Sequence, residues 1–450
     1  MKRKIYNKLV EWKNNQNGKT AVLIDGARRI GKSWIVEEFA KNEYKSYILI
    51  DFNNVAKNII ELFEEYLTDL DVFFSRLSIY TGIKLYNRES AIIFDEVQMY
   101  PRARAAIKYL VKDGRYDFIE TGSLVSINHN VKDIVIPSEE IRINMFPMDL
   151  EEFAWANNQQ MLYDFMRDCY QKKQPLGQSM HRLMMELFRL YMLVGGMPQA
   201  VLSYLEHKDF RNVDASKRAI LALYRNDISK YAGRQAPNVT RIFDHIPGLL
   251  QQHEKRFSPS KVKKGARSRD FEEAMFWLDE SRVVNFCYAA TEPSVALAFN
   301  QVDSKVKLYM ADTGLLISLA FGEEELEQDK IYEKILRGKL DFNKGMLTEN
   351  IVAQMFKAAG HALYFYSCNS RENADDRMEI DFLIRKTPAT SKHNICPIEV
   401  KSATGYTLTS LLKCKKKFAQ HIATPYVLHT ADLKEADGIV YLPIYMAGLL

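Results

Sequence analysis

The feature that most constrains this chain is the run Gly26-Ala27-Arg28-Arg29-Ile30-Gly31-Lys32-Ser33, which satisfies the pattern G-x-x-x-x-G-K-[ST]. It follows a short β-rich segment, 20–25, and precedes apolar residues at helical spacing, Ile35, Val36 and Phe39. The order is strand, loop, helix, the setting the motif needs. In that setting the glycines let backbone N–H groups wrap phosphates, and the helix turns its positive end toward them. All eight residues are therefore expected to line a nucleotide, with Lys32 on the β- and γ-phosphates and the Ser33 hydroxyl on Mg²⁺. A chance Gly-Lys-Ser turn is the bland alternative, and it leaves the flanking strand and helix unexplained. ATP and Mg²⁺ are the expected cofactors.

A second apolar run, Ala91-Ile92-Ile93-Phe94, ends in Asp95-Glu96, as expected of a buried strand that delivers an acid beside the metal. Asp95 is expected to hold Mg²⁺, and Glu96 to polarise the attacking water as a general base. Alone, a strand ending at an acidic helix start is common in any α/β protein; downstream of the phosphate loop it carries more weight. Lys32 and Asp95 are 63 positions apart, which leaves room for another strand at 46–52. A further β-like run, 117–121, leads into Thr121-Gly122-Ser123, whose hydroxyls could sense the γ-phosphate. Arg28, Arg29 and Arg142 are candidates to stabilise transition-state charge, with Arg142 reading more readily as a solvated surface arginine.

At 450 residues, 47% hydrophobic and 26% charged, the chain can bury several cores, and its length suggests roughly three domains. The opening Met-Lys-Arg-Lys-Ile-Tyr runs into polar residues instead of an apolar core, so no secretory signal is expected. No stretch has transmembrane length. The cysteines Cys169, Cys287, Cys368, Cys396 and Cys414 are scattered and never at C-x-x-C spacing, against a disulfide framework or a zinc site. A soluble protein of the reducing cytoplasm, with no membrane partner, is the expectation. A net charge of +5 is too small by itself to imply a polyanionic partner.

The expected fold class is α/β. The first domain, 1–150, alternates β-like runs with helical patterns, the signature of a parallel sheet covered by helices. A helical connector, 151–235, is broken by Gly195-Gly196-Met197-Pro198. Residues 236–320 carry three helical patterns and then a β-like 283–289, an order suggesting a winged helix-turn-helix. A second α/β domain is expected over 321–450, with a helix at 347–359 and β-like runs at 362–366, 379–385 and 395–401. No internal repeat or low-complexity segment is apparent.

Within that last domain, Glu379-Ile380-Asp381-Phe382-Leu383-Ile384 and Pro397-Ile398-Glu399-Val400-Lys401 are separated by a polar loop and look like a hairpin. Alternation places Glu399 and Lys401 on one face, and Asp381 could approach it. Such a set, an aspartate with Glu-x-Lys on a neighbouring strand, is what metal-dependent phosphodiester cleavage needs: Asp381 and Glu399 would bind Mg²⁺, and Lys401 would orient or deprotonate water. Glu349 could complete the metal shell. An ordinary half-exposed strand is the competing reading. Between the α/β domains lie Lys255, Arg256, Lys261, Lys263, Lys264, Arg267 and Arg269, with His253 and Phe257 nearby. They would either grip DNA or RNA phosphates or form a solvated loop or interface.

These residues carry a resemblance that covers nearly the whole chain. It resembles the bacterial and archaeal AAA-type ATPases fused to a C-terminal "domain of unknown function 4143". The marks are Gly26 to Ser33, Asp95-Glu96-Val97-Gln98, Thr121-Gly122-Ser123, Gly195-Gly196-Met197-Pro198, 307–315, Glu379-Ile380-Asp381-Phe382 and Ile398-Glu399-Val400-Lys401-Ser402. The resemblance implies an AAA-like N-terminal domain, a winged-helix connector and a C-terminal domain similar to the restriction-endonuclease-like PD-(D/E)xK fold. It implies no settled biological role. The sequence departs from the commoner pattern at Arg29, where glutamine is frequent, and around Ser138-Glu139-Glu140, which weakens transfer of an arginine role to Arg142.

The leading expectation is an ATPase, working through Lys32, Asp95 and Glu96, coupled to a domain that cuts nucleic acid through Asp381, Glu399 and Lys401. The alternative is a nucleotide-driven switch or adaptor whose C-terminal domain binds DNA or protein without cutting. A third reading is a sensor or loader acting on a protein partner. Assembly into oligomers is left open, as is an arginine supplied by a neighbouring subunit.

Overall fold

A computed structural model describes residues 1–124, 138–252, 255–294, 296–322, 330–339, 344–370, 373, 376–386, 393–403 and 405–450. His253, much of the loop between the two segments of the expected hairpin, and part of the charged stretch at 322–343 lie outside the described residues. The chain divides into two compact units, Met1–Phe146 with Glu280–Arg282, and Pro147–Asp279 with Val283–Leu450. Among the described residues, no helix is long and apolar enough to cross a membrane, and all five cysteines are free thiols.

The N-terminal unit is built on a parallel sheet of strands β1 (Ala21–Asp25), β2 (Ser46–Asp51), β3 (Ser90–Asp95), β4 (Asp117–Gly122) and β5 (Glu140–Asn144), in the order β2-β3-β4-β1-β5. Helices α1 (Ile5–Gln16), α2 (Lys32–Glu43), α3 (Lys57–Glu65), α4 (Leu70–Thr81) and α5 (Pro101–Asp113) accompany it. Strands β1 and β3 are buried along their whole length, which is why they read as unbroken apolar runs. Phe52, Phe63, Phe73, Phe74, Phe94 and Phe118 share one core, and several of these rings meet edge to face, the arrangement that aromatic quadrupoles favour. The sequence pattern shows no strand at 140–144. Strand β5 stands at the end of the strand order beside β1 and is half exposed, so its residues are mixed and lack the apolar run by which central strands declare themselves.

In the second unit, helices α6 (Leu150–Ala156), α7 (Gln160–Lys172), α8 (Gln178–Val194), α9 (Pro198–His207) and α10 (Phe210–Tyr231) occupy the expected connector. There follow α11 (Ala236–Leu250), α12 (Pro259–Val262), α13 (Glu272–Glu280), β6 (Val284–Ala290), β7 (Gln301–Met310), α14 (Thr313–Ala320), α15 (Ile331–Leu336) and α16 (Lys344–Ala358). The chain closes with β8 (Leu363–Cys368), β9 (Met378–Arg385), β10 (Ile395–Val400), α17 (Thr409–Lys417), β11 (Tyr426–His429), β12 (Lys434–Ala436) and β13 (Ile439–Pro443). The strands form one mixed sheet in the order β12-β13-β11-β10-β9-β8-β6-β7. Strands β9 and β10 pair antiparallel, as the hairpin reading expects. Strand β6 pairs in parallel with β8, so segments that sequence separates at 320/321 share a sheet. Strand β7, whose second half falls in the 307–315 segment but which no β-like run marks as a strand, supplies two residues of the site described below.

The breaks at Gly195-Gly196 and around Asp312 have one cause. A Cβ on Gly196 would lie 2.1 Å from the Met148 carbonyl oxygen, so only glycine lets these backbones meet. The Gly196 N–H donates to the Asp312 carboxylate at 2.6 Å, and Asp312 also caps α14 by accepting from Leu315 N–H at 2.9 Å. Helix α16 joins the same knot: Asn350 binds both backbone groups of Met310, and Gln354 accepts from Thr313 and donates to the Tyr191 hydroxyl. Buried polar groups are thus satisfied in a network that joins α8, β7, α14 and α16.

Candidate functional site

The strand order places β4 between β1 and β3, so the ends of three neighbouring strands present Asp25, Thr121 and Asp95 at the carboxyl edge of the sheet, where parallel sheets bind ligands. The loop from Gly26 to Ser33 leaves β1 here and enters α2. At Gly26 a Cβ would fall 2.3 Å from the Met145 carbonyl oxygen, so the first position of the motif admits glycine alone. Ala27 and Ile30 are buried, Arg28 is half-buried, and Arg29 is exposed. Arg29 has φ 69° and Gly31 φ 91°, so the loop crosses left-handed backbone twice. Arg3, which no motif marks, is buried and donates to the Ile30 carbonyl at 2.8 Å and to Phe146 at 2.7 Å, clamping the loop from behind.

The Lys32 ammonium is buried and donates to the carbonyls of Gly26 and Ala27, each at 2.9 Å. Burial pushes its pKa down, against the pull of Glu96, Asp25 and Asp95. Ser33 Oγ donates to Asp95 Oδ1 at 2.8 Å, and Thr121 Oγ1 donates to the same oxygen. Burial raises the Asp95 pKa while those two hydroxyls oppose it. Glu96 adopts φ 52°; its N–H donates to Thr121 Oγ1 at 3.3 Å, and its carboxylate accepts from Ser123 Oγ at 3.3 Å and from the Gln98 amide. The sequence points to Ser123 but not to Gln98 as a site residue; the signal for Gln98 is its place two residues after the acid, within the Asp95-Glu96-Val97-Gln98 run that carries the resemblance. Arg142 lies 3.9 Å from Asp25, its side chain 32% exposed, so it is paired with an acid instead of freely solvated.

The second constellation spreads over β7, β9, β10 and α16. The Lys307 ammonium, 1% exposed, lies 2.9 Å from Glu379 Oε1 and 4.8 Å from the Phe365 ring centroid. Lys255 pairs with Glu349 Oε1, and the Tyr309 hydroxyl donates to Glu349 Oε2 at 3.1 Å. Lys401 lies 2.6 Å from Glu399 Oε2, and Asp381 accepts from Val400 N–H at 2.8 Å. Burial pushes the Asp381 carboxyl up to about 6, helped by Glu349, and pushes Glu399 up to about 8, helped by Asp381. Burial would also raise Glu349, but Lys307 and Lys255 outweigh it and hold that carboxyl below its usual range. The expected residues Glu349, Asp381, Glu399 and Lys401 thus lie within electrostatic reach of one another, joined by Lys307 and Tyr309, which belong to the 307–315 segment that carries the resemblance but which the sequence does not single out as site residues. Among the described residues, no group of three or more His, Cys, Asp or Glu side chains is disposed to hold a metal ion.

The basic cluster divides. Lys261, Lys263, Lys264, Arg267 and Arg269 are exposed. Lys255, grouped with them in sequence, turns inward to Glu349, because Arg256 bridges to Lys307 and Phe257 N–H donates to the Val306 carbonyl at 2.7 Å.

Residues 18–154 match the family profile of an AAA domain, and residues 344–446 match a domain of unknown function, DUF4143. Residues 185–326 match another domain of unknown function, DUF8612, which runs across the expected boundary at 235/236. No curated protein matches the sequence. Among solved structures, a Walker-type ATPase of Pyrococcus abyssi is similar at 16% identity and TM-score 0.43, over 71% of this chain and 96% of that one. Cdc6p of Pyrobaculum aerophilum is similar at 9% identity and TM-score 0.25, over 74% and 93%. Drosophila ORC bound to DNA is similar at 13% identity and TM-score 0.27, over 70% and 96%.

Proposed function

We propose that the N-terminal unit binds and hydrolyses ATP with Mg²⁺ and that its nucleotide state governs the action of the second unit. The observation that carries this reading is the 2.8 Å hydrogen bond from Ser33 to Asp95, which joins the ends of two motifs found independently in the sequence. Both are hard oxygen donors of the kind Mg²⁺ takes, so Ser33 and Asp95 would hold the ion, and it would neutralise charge on the phosphates. Lys32 exchanges the carbonyls of Gly26 and Ala27 for the β- and γ-phosphates. Backbone N–H groups of 26–33 surround the anion, Thr121 reports the γ-phosphate to Asp95, and Glu96 takes the proton of the attacking water. Ser123 and Gln98 hold the Glu96 carboxylate in position. The AAA-domain match of residues 18–154 supports the ATPase class. The test is Glu96→Gln: ATP affinity is retained while turnover falls by roughly 10²–10⁴-fold, the usual contribution of a positioned base. Turnover equal to wild type removes Glu96 from that role.

For the second unit, nucleic-acid cleavage through Asp381, Glu399 and Lys401 is one reading, and binding of DNA, RNA or protein without cleavage is the other. One observation favours binding: Glu349, Glu379 and Glu399 are engaged by lysines and Asp381 by a backbone N–H, so the acids do not fit a metal as they stand. Where the partner is nucleic acid, the exposed Lys261, Lys263, Lys264, Arg267 and Arg269 would supply the phosphate-facing charge. Incubation of wild type with single- and double-stranded DNA and RNA, with Mg²⁺ and ATP, decides between the two. Cleavage that disappears in Asp381→Ala and Lys401→Ala makes the unit a nuclease; intact substrates alongside ATP turnover make it an adaptor.

A further inference from the structure

Helix α8 carries Met185, Phe188 and Met192 at spacings of three and four, the stripe that one face of a helix presents, and Arg189 stands within that stripe. The face does not close on its neighbours. It walls a cavity of about 200 Å³, completed by Ile335 of α15, Leu347 of α16 and Ile444, all within the second unit. Arg189 and Lys344 line this cavity, and no carboxylate does. The Arg189 guanidinium lies against the turn that follows α15, where a Cβ on Gly338 would fall 2.8 Å from Nη2. Its one hydrogen bond is long, 3.5 Å to the Leu336 carbonyl, and among the described residues it forms no ion pair. Burial lowers its pKa against the pull of Glu186, one turn back, but a guanidinium keeps its proton in a protein. A half-buried positive charge is therefore left without a compensating anion.

We propose that this cavity is a binding site for a compact organic carboxylate, an apolar body the size of one ring or a short aliphatic chain bearing a single anionic group, and that Arg189 recognises the anion. The lining matches that chemistry on both counts. A guanidinium presents paired N–H donors that fit a carboxylate bidentately. Lys344 adds a second cation, and with no acid in the lining the field inside favours an anion over a neutral or cationic molecule of the same shape. The methionine, isoleucine and leucine walls take the apolar body. An apolar void of ~150 Å³ already accepts a benzene ring, so about 200 Å³ admits a ring with a carboxylate attached. A mostly apolar lining with a few polar groups is the usual make-up of small-molecule sites.

The test is calorimetric titration of the full-length protein with phenylacetate and hexanoate. Benzylamine and benzyl alcohol, which keep the ring and change the charge, and acetate, which keeps the charge and loses the apolar body, serve as comparisons. Wild type should bind one equivalent of phenylacetate or hexanoate in the submillimolar range, and each comparison compound roughly ten-fold more weakly or worse, the effect of one lost charge-assisted hydrogen bond or a few unburied carbons. Arg189→Met, close in length and uncharged, should weaken carboxylate binding by roughly ten-fold or more, and Arg189→Lys should restore part of it. Met192→Trp, which keeps the arginine and fills the cavity, should abolish it. The proposal is overturned if wild type binds neither carboxylate, if benzylamine or acetate binds as well as phenylacetate, or if Arg189→Met binds as wild type does. Thermal melting checks the fold of each variant; where Arg189→Met does not fold, Met192→Trp decides, and undiminished binding there overturns the proposal equally.

Discussion

The two charged sites bury their lysines in opposite ways. Lys32 is held by two neutral carbonyls, whereas Lys307 and Lys255 are held by carboxylates. A buried ammonium whose hydrogen bonds go only to carbonyl dipoles gains by taking up an anion, since burial depresses the Lys32 pKa even against the pull of Glu96, Asp25 and Asp95. An ammonium already paired with a carboxylate has no such gain, and separating the pair costs several kcal/mol. The N-terminal site is thus prepared for exchange with phosphate, and the second is compensated from within.

The largest effect that could break this comparison comes from Lys32→Ala. Two charge-assisted hydrogen bonds to phosphate, at about 1.5–3 kcal/mol each, would disappear, so ATP affinity should fall by roughly 10²–10⁴-fold in a fluorescent-nucleotide titration, with little change in the urea midpoint. Unchanged affinity would sink the phosphate assignment. Next comes Lys307→Met, which should destabilise the protein by about 1–3 kcal/mol in urea denaturation, less than a fully buried ion pair costs because the Glu379 side chain is 35% exposed and solvent screens it once the lysine is gone. Adding Glu379→Gln should recover part of that loss; a neutral result for the single variant would show that the second site is not compensated as described.

Acid-base behaviour sharpens the contrast further. Asp381 and Glu399 have folded-state pKa values raised to about 6 and about 8, from 3.8 and 4.5. Groups shifted upward contribute stability that is fully present below the unfolded value and lost as pH rises through the folded one. Stability should therefore decline between pH 3.8 and about 6 through Asp381, and between 4.5 and about 8 through Glu399. Each proton contributes at most about 1.4 kcal/mol per pH unit. Glu399→Gln should flatten the slope just below pH 8 in urea melts taken across that range, and an unaltered slope would assign the proton elsewhere. The smallest effect belongs to the exposed lysines. Neutralising Lys261, Lys263 and Lys264 should weaken DNA binding uniformly across sequences and reduce its salt slope by about 1 for each phosphate left without its lysine, measured by fluorescence anisotropy; an unchanged slope leaves them as solvated surface.

How much is legible in the sequence follows from how local each signal is. The loop 26–33 and the strand ending in Asp95 are contiguous patterns set by the geometry of phosphate and by burial on both faces, so they can be read directly. The hairpin of β9 and β10 is legible from two apolar runs flanking a polar loop. Strand β5 is not, because an edge strand needs no apolar run. Strand β7 is not legible as a strand, because its first half is not buried, so Lys307 and Tyr309 stand out only as part of the 307–315 segment and not as site residues. Lys255 groups with its sequence neighbours as a phosphate ligand, since adjacency says nothing of which way a side chain turns once Arg256 bridges to β7.

The sequence by itself determined the α/β class, the phosphate loop and the acid that meets it, because those depend on residues near one another and on the chemistry of a triphosphate. Only the tertiary structure decided that Arg3 backs the loop, that β6 and β7 join the C-terminal sheet, and that Lys255 and Lys307 neutralise Glu349 and Glu379. Those depend on pairings between residues tens to hundreds of positions apart. In such pairings, burial and the need to compensate each buried charge select one partner from many lysines and glutamates that look alike in the sequence.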